Sequence, residues 1–144
     1  MSDTYMMIKP EVVRAGDQKI GAILELVQRN GFRIRNLALR RFDRGLAGEF
    51  YAVHRERPFF GALVDYIVSG PVVCIHLERE GAVPRLRELV GATNPREATA
   101  GTLRFLYGTS LQENAVHASD SDANAAREIG LVFGGAAPES APTA

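Results

Sequence analysis

The sequence predicts an α+β domain: a ferredoxin-like, split βαβ arrangement in which helices surround an antiparallel four-stranded sheet. Three observations lead there. Apolar residues alternate along the chain between strand-like runs and the i, i+3, i+4, i+7 spacing of a single helix face. The segments so marked fall in the order β-α-β-α-α-β-α-loop-β-α. The chain has 144 residues, 46% hydrophobic and 24% charged, which suits one soluble domain long enough to bury a core.

Residues 4–10 (TYMMIKP) form an apolar first strand closed by Pro10. Ile20, Ile23, Leu24 and Val27 mark an amphipathic helix over 18–30, with Gly31 placed to cap it. The stretch FRIRNLALRRF alternates, but Phe32 and Ile34 are out of phase with Leu37 and Leu39, so a bulge near Asn36 is expected. Residues 45–54 and 59–68 suit two short helices, Pro58 standing at the start of the second. After the Gly70-Pro71 turn, VVCIHLE reads as a strand. Val83, Leu86, Leu89 and Val90 make a helical stripe ended by Gly91. Residues 92–114 lack periodicity and read as one long loop, a length that in a compact domain marks function or an interface. A short strand at 114–118 and a helix running to about Phe133, capped from 119–121, complete the order. The domain is thus placed at 1–133. The tail 134–144 lacks bulky apolar residues and reads as disordered.

Composition removes several function classes. Seventeen basic residues balance seventeen acidic ones, which argues against a dedicated nucleic-acid or anionic-membrane binder. Residues 29–57 do carry eight arginines against Asp43, Glu49 and Glu56, and a module of the same fold that binds nucleotide or nucleic acid without phosphoryl transfer is the rival reading. A solvated sheet edge accounts for the same charges. No apolar run approaches the ~20 residues of a membrane span, and the start lacks a signal-peptide pattern, so the chain reads as cytoplasmic. Cys74 is alone, which excludes an internal disulfide.

Phosphate chemistry would have to rest on side chains, because neither GxxxxGK[ST] nor GxGxxG occurs. Arg87 and Arg104 flank the long loop, with Thr93 between them. The densest polar cluster is NAVHASDS at 114–121, with Glu128 on the helix behind it. His117 and Ser119 share a strand face, and a histidine nucleophile needs one ring nitrogen free and the other held by an acceptor such as Glu128. Taken alone, each arginine also fits a solvated surface, and the histidine fits a hydrogen-bonded structural role.

The segments MMIKP (6–10), FYAVHRERPFF (50–60), SGPVV (69–73), GATNP (91–95), NAVHASDS (114–121) and REIGLVF (127–133) occur in this order. Together they resemble the nucleoside diphosphate kinases over about nine tenths of the chain. The resemblance implies a ping-pong kinase in which His117 becomes a pros-phosphohistidine, oriented by Glu128 and Ser119. It implies phosphate contacts from Arg87, Thr93 and Arg104, and sugar contacts from Lys9 and Asn114, Lys9 also reaching phosphate. Tyr51 matches a tyrosine near the histidine, with packing as its alternative role. Phe59 matches the aromatic that stacks on the base and Leu111 its cover. Leu63 falls near the phosphates or in the core. Stacking reads a π-face, so ATP, GTP, CTP, UTP and their deoxy forms are all expected substrates.

Mg²⁺ is implied as cofactor, held by phosphates and water, with Asp120 reaching it through water. A homo-oligomer is implied, a hexamer ahead of a tetramer. His54 and His76 receive no role. Three positions depart from the common pattern: Glu11-Val12 for aspartate-glycine, Ala118 for glycine, and Phe105-Leu106-Tyr107 for glycine-aspartate-phenylalanine. The first is expected to alter a turn without touching a ligand, the second to have little effect. The third is expected at a subunit contact, unless Phe105 and Leu106 turn into the core.

Overall fold

The computed structural model describes residues 1–134. The order is β1 (Ser2–Ile8), α1 (Pro10–Ala15), α2 (Lys19–Arg29), β2 (Arg33–Arg40), α3 (Arg44–Phe50), a 3₁₀ turn (Ala52–His54), α4 (Phe60–Ile67), β3 (Val72–Arg79), α5 (Ala82–Val90), a second 3₁₀ turn (Pro95–Glu97), α6 (Leu103–Tyr107), β4 (Val116–Ala118) and α7 (Asp122–Phe133). The strands lie in the order β2-β3-β1-β4, every neighbouring pair antiparallel. This is the split βαβ sheet expected from the sequence.

Period-two alternation sorts the central strands onto two cores. Met6, Ile8, Val73, Ile75 and Leu77 face one side and pack with Ile23 and Val27 of α2 and Leu86 and Val90 of α5. Tyr5, Met7, Val72 and Cys74 face the other and pack with Phe50, Val64, Ile67 and Val132. A bulge between Ile34 and Asn36 restores the phase of β2, so that Ile34, Leu37 and Leu39 pair in turn with Leu77, Ile75 and Val73. Leu37 and Leu39 nevertheless remain exposed on this edge strand. Gly31 follows α2 at φ +88°, a conformation that glycine enters without a Cβ penalty.

Two expectations are corrected. Pro10 does not merely end the first strand; it opens α1, where its missing N–H costs nothing at the first helical position. Residues 92–114 are not one loop. Asn94 and Thr102 cap a 3₁₀ turn and α6, with side-chain oxygens accepting from the Arg96 and Phe105 amides. Helices of three to six residues leave too little periodicity to be read from sequence. The tail expectation lies, from residue 135 onward, outside the described residues. Among the described residues no helix is long and apolar enough to cross a membrane.

The arginines of 29–57 are spread over separate elements. Arg29 pairs with Glu25, Arg35 and Arg33 with Glu78, Arg44 with Asp65, and Arg55 with Glu49. Arg40 donates to the Val132 carbonyl. That distribution matches the solvated-edge reading of this charge.

Candidate active site

β4 is the edge strand beside β1, and its register places His117 opposite Met7. The histidine therefore faces the second core, where α7 crosses the sheet. Ser121 starts α7 by accepting from the Asn124 amide, and Arg127 ties the helix to α3 through the Glu49 and Phe50 carbonyls. Burying Val132 contributes about 1.5–3 kcal/mol, more than the ~1 kcal/mol net of one hydrogen bond. Packing thus decides where α7 lies, and polar contacts decide the side-chain rotamers on it.

Those contacts converge on one carboxylate oxygen. Glu128 Oε1 lies 3.0 Å from His117 Nε2 and accepts from Ser119 Oγ at 2.6 Å. Both Glu128 and Ser119 are buried. Because the carboxylate accepts, Nε2 carries the ring proton and Nδ1 keeps its lone pair. Among the described residues no hydrogen bond engages Nδ1. The rings of Phe50 and Tyr5 flank the imidazole, with centroids 5.2 and 5.9 Å away. Tyr51 packs edge-on against Phe50, and burial, followed by the Glu128 charge, pushes its hydroxyl far up. It packs in the second core and is not among the described residues that line the cleft.

The other side of His117 opens into a cleft of about 580 Å³. All eight residues matched to nucleotide contacts line it: Lys9, Phe59, Leu63, Arg87, Thr93, Arg104, Leu111 and Asn114. Among the described residues, three cations face it and none of the lining residues is a carboxylate. Lys9 Nζ donates to Asn114 Oδ1 at 2.7 Å, and Asn114 Nδ2 donates to the Thr93 carbonyl. Burial, then Arg104, brings the Lys9 ammonium down to about 8, with Glu11 opposing the shift. Arg104 donates to the carbonyls of Gly91 and Val116, while its Nε has no partner among the described residues. Burial and the neighbouring Arg87 lower it to about 10. Desolvated cations with unused donors have the chemistry of an anion site. Gly91 is part of the frame: it sits at φ +91°, and a Cβ there would meet Thr102 Oγ1 at 2.5 Å.

The mouth of the cleft is apolar. Phe59 is 49% exposed and Leu111 63%, so both offer apolar surface to a flat group. His54 and Gln112 also line the cleft and had no expected role. The His54 ring sits 5.3 Å from that of Phe59; a single histidine in a 3₁₀ turn offers no spacing signal. His76 is buried, with Nε2 3.3 Å from the Asp3 carboxylate and away from the cleft.

Glu11 is the more informative omission. Its carboxylate accepts from the Tyr66 hydroxyl and from the Ala115 amide, the latter at 3.1 Å. The only signal for it was its position, two residues after Lys9 where the family often has another carboxylate. This departure is expected to alter a turn without touching a ligand; the Glu11 hydrogen bonds go to Tyr66 and to the turn backbone beside Asn114, not to a residue of the expected ligand set.

Asp120 is exposed and lies off the cleft wall. Its Oδ1 accepts from Asn124 Nδ2 at 2.6 Å; that bond, helped by Arg87, holds the carboxyl below its usual range despite some burial. Among the described residues no group of three or more His, Cys, Asp or Glu side chains is arranged to hold a metal ion. A divalent ion fits here only as a companion of phosphate oxygens. Phe105 and Leu106 are half-exposed, so neither fills the core beneath Arg104. Leu103 is buried instead, and Tyr107 packs against the first core.

Comparison with known proteins agrees with this geometry. The family model described as nucleoside diphosphate kinase matches residues 2–137. A nucleoside diphosphate kinase of Desulfovibrio desulfuricans is 51% identical over 135 residues, covering 94% of this chain and 96% of that protein. The Aquifex aeolicus enzyme superposes with a TM-score of 0.88 at 43% identity, covering 92% of this chain and 94% of that one. The Halobacterium salinarum enzyme, solved in complex with CDP, gives 0.87 at 38% identity, covering 92% and 87%. With the family model matched across both cores and the cleft, and half the residues shared with a named relative, this chain belongs to the nucleoside diphosphate kinase family.

Proposed function

We propose that this kinase works by a ping-pong mechanism on His117. In the first half-reaction Nδ1 attacks the γ-phosphorus of a nucleoside triphosphate; an N–P bond forms, the P–O bond to the β-phosphate breaks, and the nucleoside diphosphate leaves. In the second, a terminal oxygen of another diphosphate attacks the same phosphorus and the N–P bond breaks. The observation that carries this reading is the Glu128 carboxylate on Nε2, which leaves Nδ1 nucleophilic. It also places a negative charge against the imidazolium that forms during transfer. Ser119 holds that carboxylate in place.

Arg87, Arg104 and Thr93 bind the phosphates and stabilise the charge spread over the transferring group. Lys9 and Asn114 take the sugar hydroxyls, Lys9 also a phosphate. Phe59 and Leu111 sandwich the base by apolar contact, and Leu63 lines the wall between. ATP, GTP, CTP, UTP and the deoxy forms are therefore all donors, and the CDP complex of the halophilic relative supports acceptance of a pyrimidine. Mg²⁺ would be held by the nucleotide's phosphate oxygens and water, Asp120 acting through a water; when bound it neutralises phosphate charge. Tyr51 supports the histidine from behind. The absence of a span-length apolar helix among the described residues is compatible with a cytoplasmic enzyme.

The assembly is a homo-oligomer, a hexamer ahead of a tetramer. Half-exposed Phe105 and Leu106, and exposed Leu37 and Leu39 on the β2 edge, support subunit contacts at these places.

Incubation with γ-labelled ATP, followed by acid and base treatment, tests the chemistry. Acid-labile, base-stable label confined to His117 is expected. Label elsewhere, or none on a protein that still transfers phosphate, overturns the mechanism.

A further inference from the structure

The turn entering β4 holds a non-glycine residue in a costly conformation. Ala115 has φ +77°, and the Val116 amide donates to the Asn114 carbonyl at 2.9 Å, the φ and the hydrogen bond of a strained γ-turn. Alanine carries a Cβ that disfavours positive φ, so the conformation is strained. Ala115 is fully buried, and water cannot compensate its amide. Such strain persists only where the surroundings over-determine it.

Two of the restraints are backbone bonds: the one closing the turn, and Lys9 N–H to the Ala115 carbonyl at 2.9 Å. The third comes from a side chain 104 positions away. Glu11 Oε2 accepts from the Ala115 amide, and its other oxygen is held by the Tyr66 hydroxyl. Burial and this bond keep the Tyr66 phenol strongly protonated, so it remains a donor. The Lys9 ammonium lies 5.7 Å from the centre of the Tyr66 ring and donates to Asn114. One carboxylate thus joins α1, α4 and the turn before the nucleophile.

We propose that Glu11 is a positioning residue for the nucleotide: its carboxylate, pinned by Tyr66, holds the strained turn that sets Asn114, with Lys9, against the sugar hydroxyls. This deepens the site described under Proposed function and rests on it.

The test reads kcat/KM for ADP against 2′,3′-dideoxy-ADP as phosphoryl acceptor in the full chain. A variant that is merely less folded loses both values together and keeps their ratio. Glu11→Ala is expected to lower the ratio about tenfold, the scale of a small misplacement of a binding group. Tyr66→Phe, which leaves the carboxylate but frees one oxygen, should lower it less and serves if Glu11→Ala fails to fold. Glycine adopts φ +77° without strain, so Ala115→Gly in the Glu11→Ala background should recover the ratio. Asn114→Ala is the control. If it keeps the wild-type ratio, the sugar site itself is wrong and the proposal falls with it. If Asn114→Ala lowers the ratio while Glu11→Ala and Tyr66→Phe leave it unchanged, the proposal alone falls. If glycine fails to recover it, Glu11 does not act through the turn, and the proposal is likewise overturned.

Discussion

The two sides of His117 are built on opposite principles. Behind it, Glu128, Ser119 and Tyr51 are buried in an aromatic core, and the carboxylate is bonded to both the ring nitrogen and the hydroxyl. In front, Lys9 and Arg104 are equally buried, yet they crowd each other and Arg104 keeps a donor with no partner among the described residues. The rear wall is complete in the unliganded protein and fixes a proton. The front wall stores unfavourable desolvation that a polyanion relieves. A phosphotransferase needs both: a nucleophile whose tautomer does not wander, and a cleft whose electrostatics are finished only by substrate.

The largest effect that tests this contrast is loss of the group between the walls. His117→Ala should abolish both the phosphoenzyme and transfer from ATP, with a melting temperature close to wild type, because the side chain is partly exposed in a cleft. Turnover near wild type would remove the nucleophile from the scheme. Glu128→Gln should then lower the rate of phosphoenzyme formation roughly 10²–10³-fold by removing the charge opposite the imidazolium, with nucleotide affinity unchanged. Rapid-quench kinetics combined with equilibrium binding separates the two. A loss of affinity instead would mean that the rear wall is not independent of the front.

The front wall makes a pH prediction. Lys9 has a pKa of about 8 in the folded protein against 10.5 in the free side chain. Between these values the unfolded chain binds more protons, so stability of the unliganded protein should rise as pH climbs from about 8 to 10.5, by about 3 kcal/mol from this group. Phosphate favours the protonated amine, so diphosphate affinity should fall over the same range. Chemical denaturation and calorimetric titration check both, and Lys9→Met should flatten them. An unliganded protein that loses stability from this group above pH 8 would contradict the buried-cation account.

Phe59→Ala should weaken nucleotide binding by about 1–3 kcal/mol, nearly equally for ADP, GDP, CDP and UDP, since stacking ignores hydrogen-bond pattern. A wild-type preference among the bases beyond about 10⁴ would mean that a polar group, with Gln112 or His54 the nearest candidates, reads the base. The smallest catalytic effect is expected from Leu106→Asp, on the helix that carries Arg104. It should lower the sedimenting mass without first unfolding the subunit. Unchanged assembly with reduced thermal stability would place Leu106 in the fold rather than at a contact.

Much of this was legible in the chain. The bulge near Asn36, the caps at Gly31 and Ser121, and the strand register that points His117 and Ser119 the same way all follow from local patterns, because side-chain periodicity and turn chemistry act over a few residues. The residues facing the cleft were found through motif resemblance; their gathering from six separate segments has no local signature. α1 and α6 were missed because they are too short to repeat a period.

By itself, then, the sequence determined the two-sided sheet and the order of its strands and longer helices, since these depend on residue type and near-neighbour spacing, and through motif resemblance it pointed to the side chains expected at the site. Only the tertiary structure decided which nitrogen of His117 stays free, how far burial lowers Lys9 and Arg104, and that Glu11 reaches across 104 positions to the Ala115 amide. Each of those depends on distance and desolvation between groups remote in the chain. Such energies do not exist until the helices close over the sheet.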